Sequence, residues 1–185
     1  MEFELIPTQR LLLRKVTPEI YNYMFSNQSD EEIKRFFGLQ TQQELEKERF
    51  KFEKGMIGYN RSFVLFQLID KESNIVMGAC GFHNWFAEHR RSEIGYALHS
   101  DSFMKQGFMS EAIMPIIDYG FLTMGLNRME AFVGPANDAS LSLVRKMKFT
   151  EEGRLREHYF NNGHIGDSLI FRLLRSEYER ERPIL

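Results

Sequence analysis

Met104-Lys105-Gln106-Gly107-Phe108-Met109-Ser110-Glu111-Ala112 is the stretch on which the reading of this chain turns. It lies between an expected strand, Arg91 to Leu98 (RSEIGYAL), and an expected amphipathic helix, Glu111 to Leu122. In that helix Ala112, Ile113, Ile116, Ile117 and Phe121 fall on one stripe. The first N–H groups of a helix have no partner within it and point outward. Together with the positive end of the helix dipole they form an anion site. Gly107 has no side chain, so backbone there can approach a phosphate closely. Ser110 either caps the helix or adds a hydroxyl donor. A plain helix start with a glycine in its loop would carry the same residues, so the segment alone leaves both readings open. Pro115 conflicts with the helical stripe, because it removes a backbone bond, and is expected to bend the helix.

Working outward, Arg10 to Lys15 (RLLLRK) reads as a first strand. Thr17-Pro18-Glu19 then opens a helix, with Thr17 as N-cap and Pro18 at the first helical position. A second helix is expected from Thr41 to Met56, and its charge run from Glu44 to Lys54 reads as a solvated face. Ser62 to Ile69 and Ile75 to His83 read as strands joined by the polar turn Asp70 to Asn74. Arg128 to Val133 is a strand and Ala139 to Met147 a short helix. Thr150 to Phe160 and Asp167 to Leu174 are a closing hairpin turned by Asn161-Asn162-Gly163. Runs of strands followed by helices indicate an α+β fold with a mixed, mostly antiparallel sheet.

The 185 residues, 43% hydrophobic and 27% charged, suit one globular domain spanning 1–185. Seventeen phenylalanines imply a Phe-rich core. A net charge of −2 argues against nucleic-acid binding and against an anionic membrane surface. The single cysteine, Cys80, lies in a small-residue and apolar run and reads as a buried structural thiol rather than a nucleophile. Met1-Glu2-Phe3-Glu4 has no basic and apolar leader, and no apolar run reaches the ~18 residues of a membrane helix, so the cytoplasm is the expected location. The histidines form no metal-ligand spacing, so no metal is expected.

The order of elements together with the opening segment resembles the GNAT superfamily of N-acetyltransferases. It is closest to the branch that includes ribosomal-protein-alanine N-acetyltransferases. The resemblance runs from Thr8-Gln9-Arg10-Leu11-Leu12-Leu13-Arg14 to Asp167-Ser168-Leu169-Ile170. The family's pyrophosphate loop, Gln/Arg-x-x-Gly-x-Gly/Ala, maps onto Met104 to Met109, with Gly107 matching and Met104 and Met109 departing. Phosphate binding there rests on backbone N–H groups, so Met104 is tolerable, whereas Met109 puts a bulky side chain where the family has a small one. Glu93-Ile94-Gly95-Tyr96-Ala97-Leu98 resembles the central strand, whose exposed backbone takes the pantetheine arm like an added strand. Asn137-Asp138-Ala139-Ser140 resembles the family's Asn-x-x-Ser helix start, and Glu152 to Glu157 with Asn162, Gly163 and Asp167 its substrate-side hairpin.

The resemblance implies a GNAT-like fold, acetyl-CoA as cosubstrate, an amine acceptor that is a peptide N-terminus or a small molecule, and, at family level only, a homodimer. It assigns Ala97, Leu98, Lys105, Gln106, Gly107, Phe108, Met109, Ser110 and Asn137 to the cofactor. Acetyl transfer needs a neutral amine, and an α-amine of pKa about 7.7–8.0 needs only a modest base. A lysine amine near pKa 10.4 needs roughly 3–4 kcal/mol more help. Glu93 is the first candidate for that base, with a solvated strand carboxylate or a partner for Arg91 as its plain alternatives. Glu157 and His158 are its rivals, with Tyr159 beside them. The Leu98 N–H is the candidate for polarising the thioester oxygen. Ser140 is the candidate acid for the departing thiolate, or a helix-start hydroxyl. A noncatalytic acyl-CoA sensor or assembly module is the alternative function, prompted by Met104, Met109 and the several rival candidates for the base.

Overall fold

Among the described residues eight strands hydrogen-bond in the order β1-β2-β3-β4-β5-β6-β8-β7, and six α-helices accompany them. The structure is a computed structural model that describes residues 3–53, 63–161 and 163–181. In chain order the elements are β1 (Leu5–Pro7), β2 (Leu11–Val16), α1 (Pro18–Asn27), α2 (Asp30–Phe37), α3 (Gln42–Glu53), β3 (Val64–Asp70), β4 (Val76–Phe86) and β5 (Arg91–Leu98). They continue with α4 (Phe108–Asp118), β6 (Arg128–Val133), α5 (Asp138–Lys146), β7 (Thr150–Asn161), β8 (His164–Leu174) and α6 (Arg175–Glu181). The β5–β6 pair is parallel, while β1–β2, β2–β3, β3–β4, β6–β8 and β7–β8 are antiparallel. This is the mixed, mostly antiparallel α+β sheet read from the sequence. The expected strand start at Ser62, the helix end at Met56 and the turn residue Asn162 lie outside the described residues.

By its internal contacts the chain forms two compact units, Met1–Asn84 with Gly95–Ile117 and Trp85–Ile94 with Asp118–Leu185. In the first unit β2 buries Leu11 and Leu13, which share one face of the strand, and also Val16 at its end on the other face. Helices α1 to α3 close a largely aromatic cluster: the Tyr21 ring lies 4.9 Å from Phe25 and 4.8 Å from Phe37, and Phe25 lies 5.0 Å from Phe52. The Tyr21 hydroxyl donates to Glu48, and burial followed by the Glu48 charge pushes its pKa up. The charge run of α3 is therefore not wholly a solvated face. Glu48 stands three residues on from the buried Leu45, on the inward side of α3, and its carboxylate satisfies a buried phenol.

Helix α2 is absent from the reading of the sequence, although its ends are marked. Ser29 and Glu32 form a reciprocal capping box, and Gly38 closes the helix in the left-handed region at φ +73°. At eight residues it spans little more than two turns, less than the window of roughly 11–18 residues over which a helical period is read, which is why pattern alone passes over it. Thr17 does precede α1 with Pro18 at its first position, but its side chain makes no capping bond to the backbone.

In the second unit one chain of alternating charges crosses the sheet. Arg91 Nη1 donates to Glu130 (3.0 Å), Arg128 Nε to Glu130 (2.8 Å), Arg128 Nη2 to Glu152 (2.5 Å) and Arg172 Nε to Glu152 (3.0 Å). Beyond these polar pairs, Met129, Phe171 and Leu173 fill the apolar face. Phe66, Phe82, Phe121 and Phe171 are among the largest fully buried side chains of the molecule, as seventeen phenylalanines led one to expect.

Gly78 fixes the spacing of β4 against the end of β5. A Cβ there would stand 2.3 Å from the Ala97 carbonyl oxygen and 2.9 Å from Leu98 Cα, both backbone atoms that cannot swing away. Gly78→Ala is therefore expected to cost about 1–3 kcal/mol or more in urea unfolding. Gly153→Ala, where a Cβ meets nothing within 4 Å, should stay within about 0.5 kcal/mol.

Candidate active site

The quoted segment does form a glycine-led helix start, three residues earlier than expected. The Glu111 N–H donates to the Gly107 carbonyl at 2.9 Å, which makes Gly107 the N-cap of α4 and Phe108 its first residue. Gly107 stands at φ +81° and Lys105 at φ +59°, so the loop enters the helix through two left-handed turns that only glycine adopts without strain. Ser110 is thus the third helical residue and not the cap. It joins Phe108 and Met109 as one of the three residues whose N–H groups head the helix. The helix continues through Pro115 to Asp118 and then widens into a π turn at Tyr119–Thr123, where the Met124 N–H reaches the Tyr119 carbonyl at 3.0 Å.

The space above Gly107 is open. A Cβ built there would have a single neighbour within 4 Å, Arg10 Nη2 at 3.5 Å. No Met109 atom comes within 4 Å of that Cβ position, and the Met109 side chain is half-buried. Lys105 and Gln106 are exposed beside it.

The helix start is held by residues that sequence spacing did not connect to it. The Glu111 carboxylate accepts from Thr8 Oγ1 (2.6 Å), from the Arg10 backbone N–H (2.6 Å) and from Arg10 Nε (2.7 Å). Arg10 Nη1 also donates to the Gln106 carbonyl at 3.0 Å, and its guanidinium lies 4.2 Å over the Phe108 ring. Burial works to raise the Glu111 pKa, but the bonds from Thr8 and Arg10, with the Arg10 charge, outweigh it and hold the carboxyl below its usual range. No signal in the chain pairs Arg10 with Glu111, which are 101 residues apart.

Ala97 and Leu98 end β5, beyond the last registered pair with β6, Glu93 with Glu130. Ala97 is exposed and Leu98 half-buried. In the second unit Glu93 is buried, 7% exposed, whereas Glu157 is exposed. Arg91, the plain partner considered for Glu93, has its ion pair with Glu130. Asn137 is the N-cap of α5: its side-chain oxygen accepts from the Ser140 N–H at 3.1 Å. Ser140 is therefore not a cap, and its hydroxyl is separate from that bond.

Glu157 sits at φ +53° where the β7–β8 register shifts, and its N–H donates to Asp167 Oδ1 at 2.8 Å. His158 Nδ1 lies 3.0 Å from the buried Ser168 hydroxyl, with its ring 5.3 Å from Phe132 and 4.7 Å from Tyr159. Cys80 is fully buried, and burial pushes its thiol pKa far up, which fits a structural thiol. Among the described residues no cluster of three His, Cys, Asp or Glu could hold a metal, and no helix is long and apolar enough to cross a membrane.

Because the folded-state pKa of Glu111 is lowered, its contribution to stability is fully present above about pH 4.3 and is lost as pH falls through the lowered value. Unfolding free energy measured from pH 6 to pH 3 should fall more steeply for the wild type than for Glu111→Gln. Parallel curves would show that the Thr8–Arg10–Glu111 contact is not stabilising.

The chain matches the model of the acetyltransferase (GNAT) domain over residues 10–150. It is 35% identical to the protein named uncharacterized N-acetyltransferase p20 of Bacillus licheniformis, over 95% of this chain and 98% of that one. It is 30% identical to the protein named uncharacterized N-acetyltransferase YoaA of Bacillus subtilis (strain 168), over 94% and 98%. The crystal structure of a GNAT-family acetyltransferase from Bacillus anthracis superposes with a TM-score of 0.65 at 27% identity, covering 94% of this chain and all of that one.

Proposed function

The chain belongs to the GNAT acetyltransferase family and is an N-acetyltransferase, and from that premise we propose that it transfers the acetyl group of acetyl-CoA to a primary amine by direct attack. The observation that carries this is the open helix start at Gly107, headed by the N–H groups of Phe108, Met109 and Ser110, where a Cβ on Gly107 would meet only the tip of Arg10 within 4 Å. That arrangement suits the diphosphate of acetyl-CoA. Exposed Lys105 and Gln106 flank the diphosphate in this reading. The backbone of Ala97 and Leu98 pairs with the pantetheine arm as an added strand would. Asn137 contributes its amide N–H₂, since its oxygen is used in the cap.

In the proposed reaction the amine nitrogen attacks the thioester carbonyl carbon. The C–N bond forms, the C–S bond breaks, one amine proton passes to a base, and the CoA thiolate takes up a proton from an acid. Glu93 is the proposed base. Its burial keeps a carboxylate away from competing water, whereas Glu157 is solvated. The Leu98 N–H is the proposed donor to the developing oxyanion, and the Ser140 hydroxyl the proposed acid. The acceptor is a protein N-terminal α-amine or a small-molecule amine, because an α-amine is already partly neutral near pH 7.5 and a single carboxylate base suffices. The chain acts as one domain in this reading, since β4, β5 and α4 each run from one compact unit into the other. The sensor alternative drew on Met109, whose side chain leaves the Gly107 space open.

Thiol release from acetyl-CoA should be seen with at least one member of a panel of peptides and small amines. Glu93→Gln should then lower kcat about 10²- to 10⁴-fold with the KM for acetyl-CoA unchanged. The same loss in Glu157→Gln, with Glu93→Gln active, would move the base to the β7–β8 hairpin. Binding of CoA without turnover on any acceptor would count against the proposed reaction.

A further inference from the structure

The pyrophosphate loop of this chain has Met104 where its family pattern places Gln or Arg, so the loop itself supplies no long polar side chain at that position. Met104 is 46% exposed and offers the ligand nothing but an apolar thioether. A cation is nevertheless present at the helix start, and it comes from the turn between β1 and β2. Arg10 is fixed at three points: Nε on Glu111, Nη1 on the Gln106 carbonyl, and its plane over the Phe108 ring. The remaining nitrogen, Nη2, stands over Gly107, 3.5 Å from where a Cβ would be.

We propose that Arg10 is a cofactor-binding residue that presents Nη2 to the diphosphate of acetyl-CoA, in place of the side chain that the loop lacks at Met104. The inference rests on the reading of the loop as the acetyl-CoA site. A guanidinium is suited to the task because its five donors form a fixed fork. Here the Nε and Nη1 edges anchor the group, and the outer nitrogen is left for a phosphate oxygen. The anchor also removes a problem. Glu111 in the first turn of α4 would otherwise place an uncompensated carboxylate near the diphosphate, and Arg10 neutralises it at 2.7 Å. Thr8 is a positioning residue in this scheme, since it holds the other carboxylate oxygen of Glu111.

Calorimetric Kd values for CoA separate a phosphate contact from a strut. With wild-type, Arg10→Gln, Arg10→Lys and the double variant Arg10→Gln/Glu111→Gln, each checked for folding by circular dichroism and thermal unfolding, the expected result is at least tenfold weaker CoA binding for Arg10→Gln. The double variant should stay weak, because the phosphate donor is still missing. Arg10→Lys should recover only part of the affinity, since a point charge replaces the fork. The dependence of log Kd on salt should be shallower in Arg10→Gln than in the wild type. Arg10→Gln should lose more with acetyl-CoA than with S-acetyl-pantetheine, an acetyl donor without the diphosphate.

Wild-type affinity in Arg10→Gln would overturn the proposal. So would full recovery in the double variant, which would make Arg10 only a shield for Glu111. Equal losses with CoA and with S-acetyl-pantetheine would show a strut that shapes the whole site. If Arg10→Gln does not fold, Arg10→Lys carries the test, and wild-type affinity with an unchanged salt slope in that variant overturns the forked contact. Failure of the wild type to bind CoA at all would instead remove the reading of the loop on which the proposal rests.

Discussion

One carboxylate holds the helix start in place. Glu111 in the first turn of α4 accepts three hydrogen bonds from the β1–β2 turn, at 2.6, 2.6 and 2.7 Å. A carboxylate near a helix N-terminus is favoured by the dipole, and charge-assisted bonds are the strong ones. The contact therefore sets both the position of α4 and the direction of its leading N–H groups. Without it, Gly107 would still permit close approach, but nothing would fix what approaches it. Arg10 links the two sides by bonding the Gln106 carbonyl as well as Glu111.

Much of this was legible in the chain itself. The strand Arg91–Leu98 has the bounds read from its sequence, and the stripe Ala112, Ile113, Ile116 and Ile117 is the buried face of α4. The closing hairpin pairs Asn161 with His164, with Gly163 at φ +81° as an Asn-Gly turn requires. These are local patterns, and local patterns are what a sequence displays. The start of α4 was placed late because the apolar stripe begins at Ala112, whereas the helix begins where the backbone first bonds, at Gly107. Helix α2 and the three-residue β1 fell below the length at which a period can be seen. The role of Arg10 was hidden for another reason: its partners are about a hundred residues away, and only the folded chain brings them together.

The candidate groups for proton transfer divide by environment. Glu93 is buried on a central strand, and Glu157 is exposed on a bulge whose backbone is tied to Asp167. The Asn137 side chain caps α5 by accepting from the Ser140 backbone N–H, so Asn137 has a structural reason to stand at this helix start, while the Ser140 hydroxyl takes no part in the bond. The same N–H groups need satisfying with or without a ligand, and side chains there serve the backbone first.

The central claim is that backbone N–H groups at the start of α4 hold the diphosphate of acetyl-CoA. A crystal structure of the chain with CoA tests it most directly. The expected result is diphosphate oxygens within about 2.7–3.2 Å of the N–H groups of Phe108, Met109 or Ser110, with the ligand backbone passing over Gly107. A diphosphate bound elsewhere on the chain, with the space above Gly107 filled by water, would contradict it.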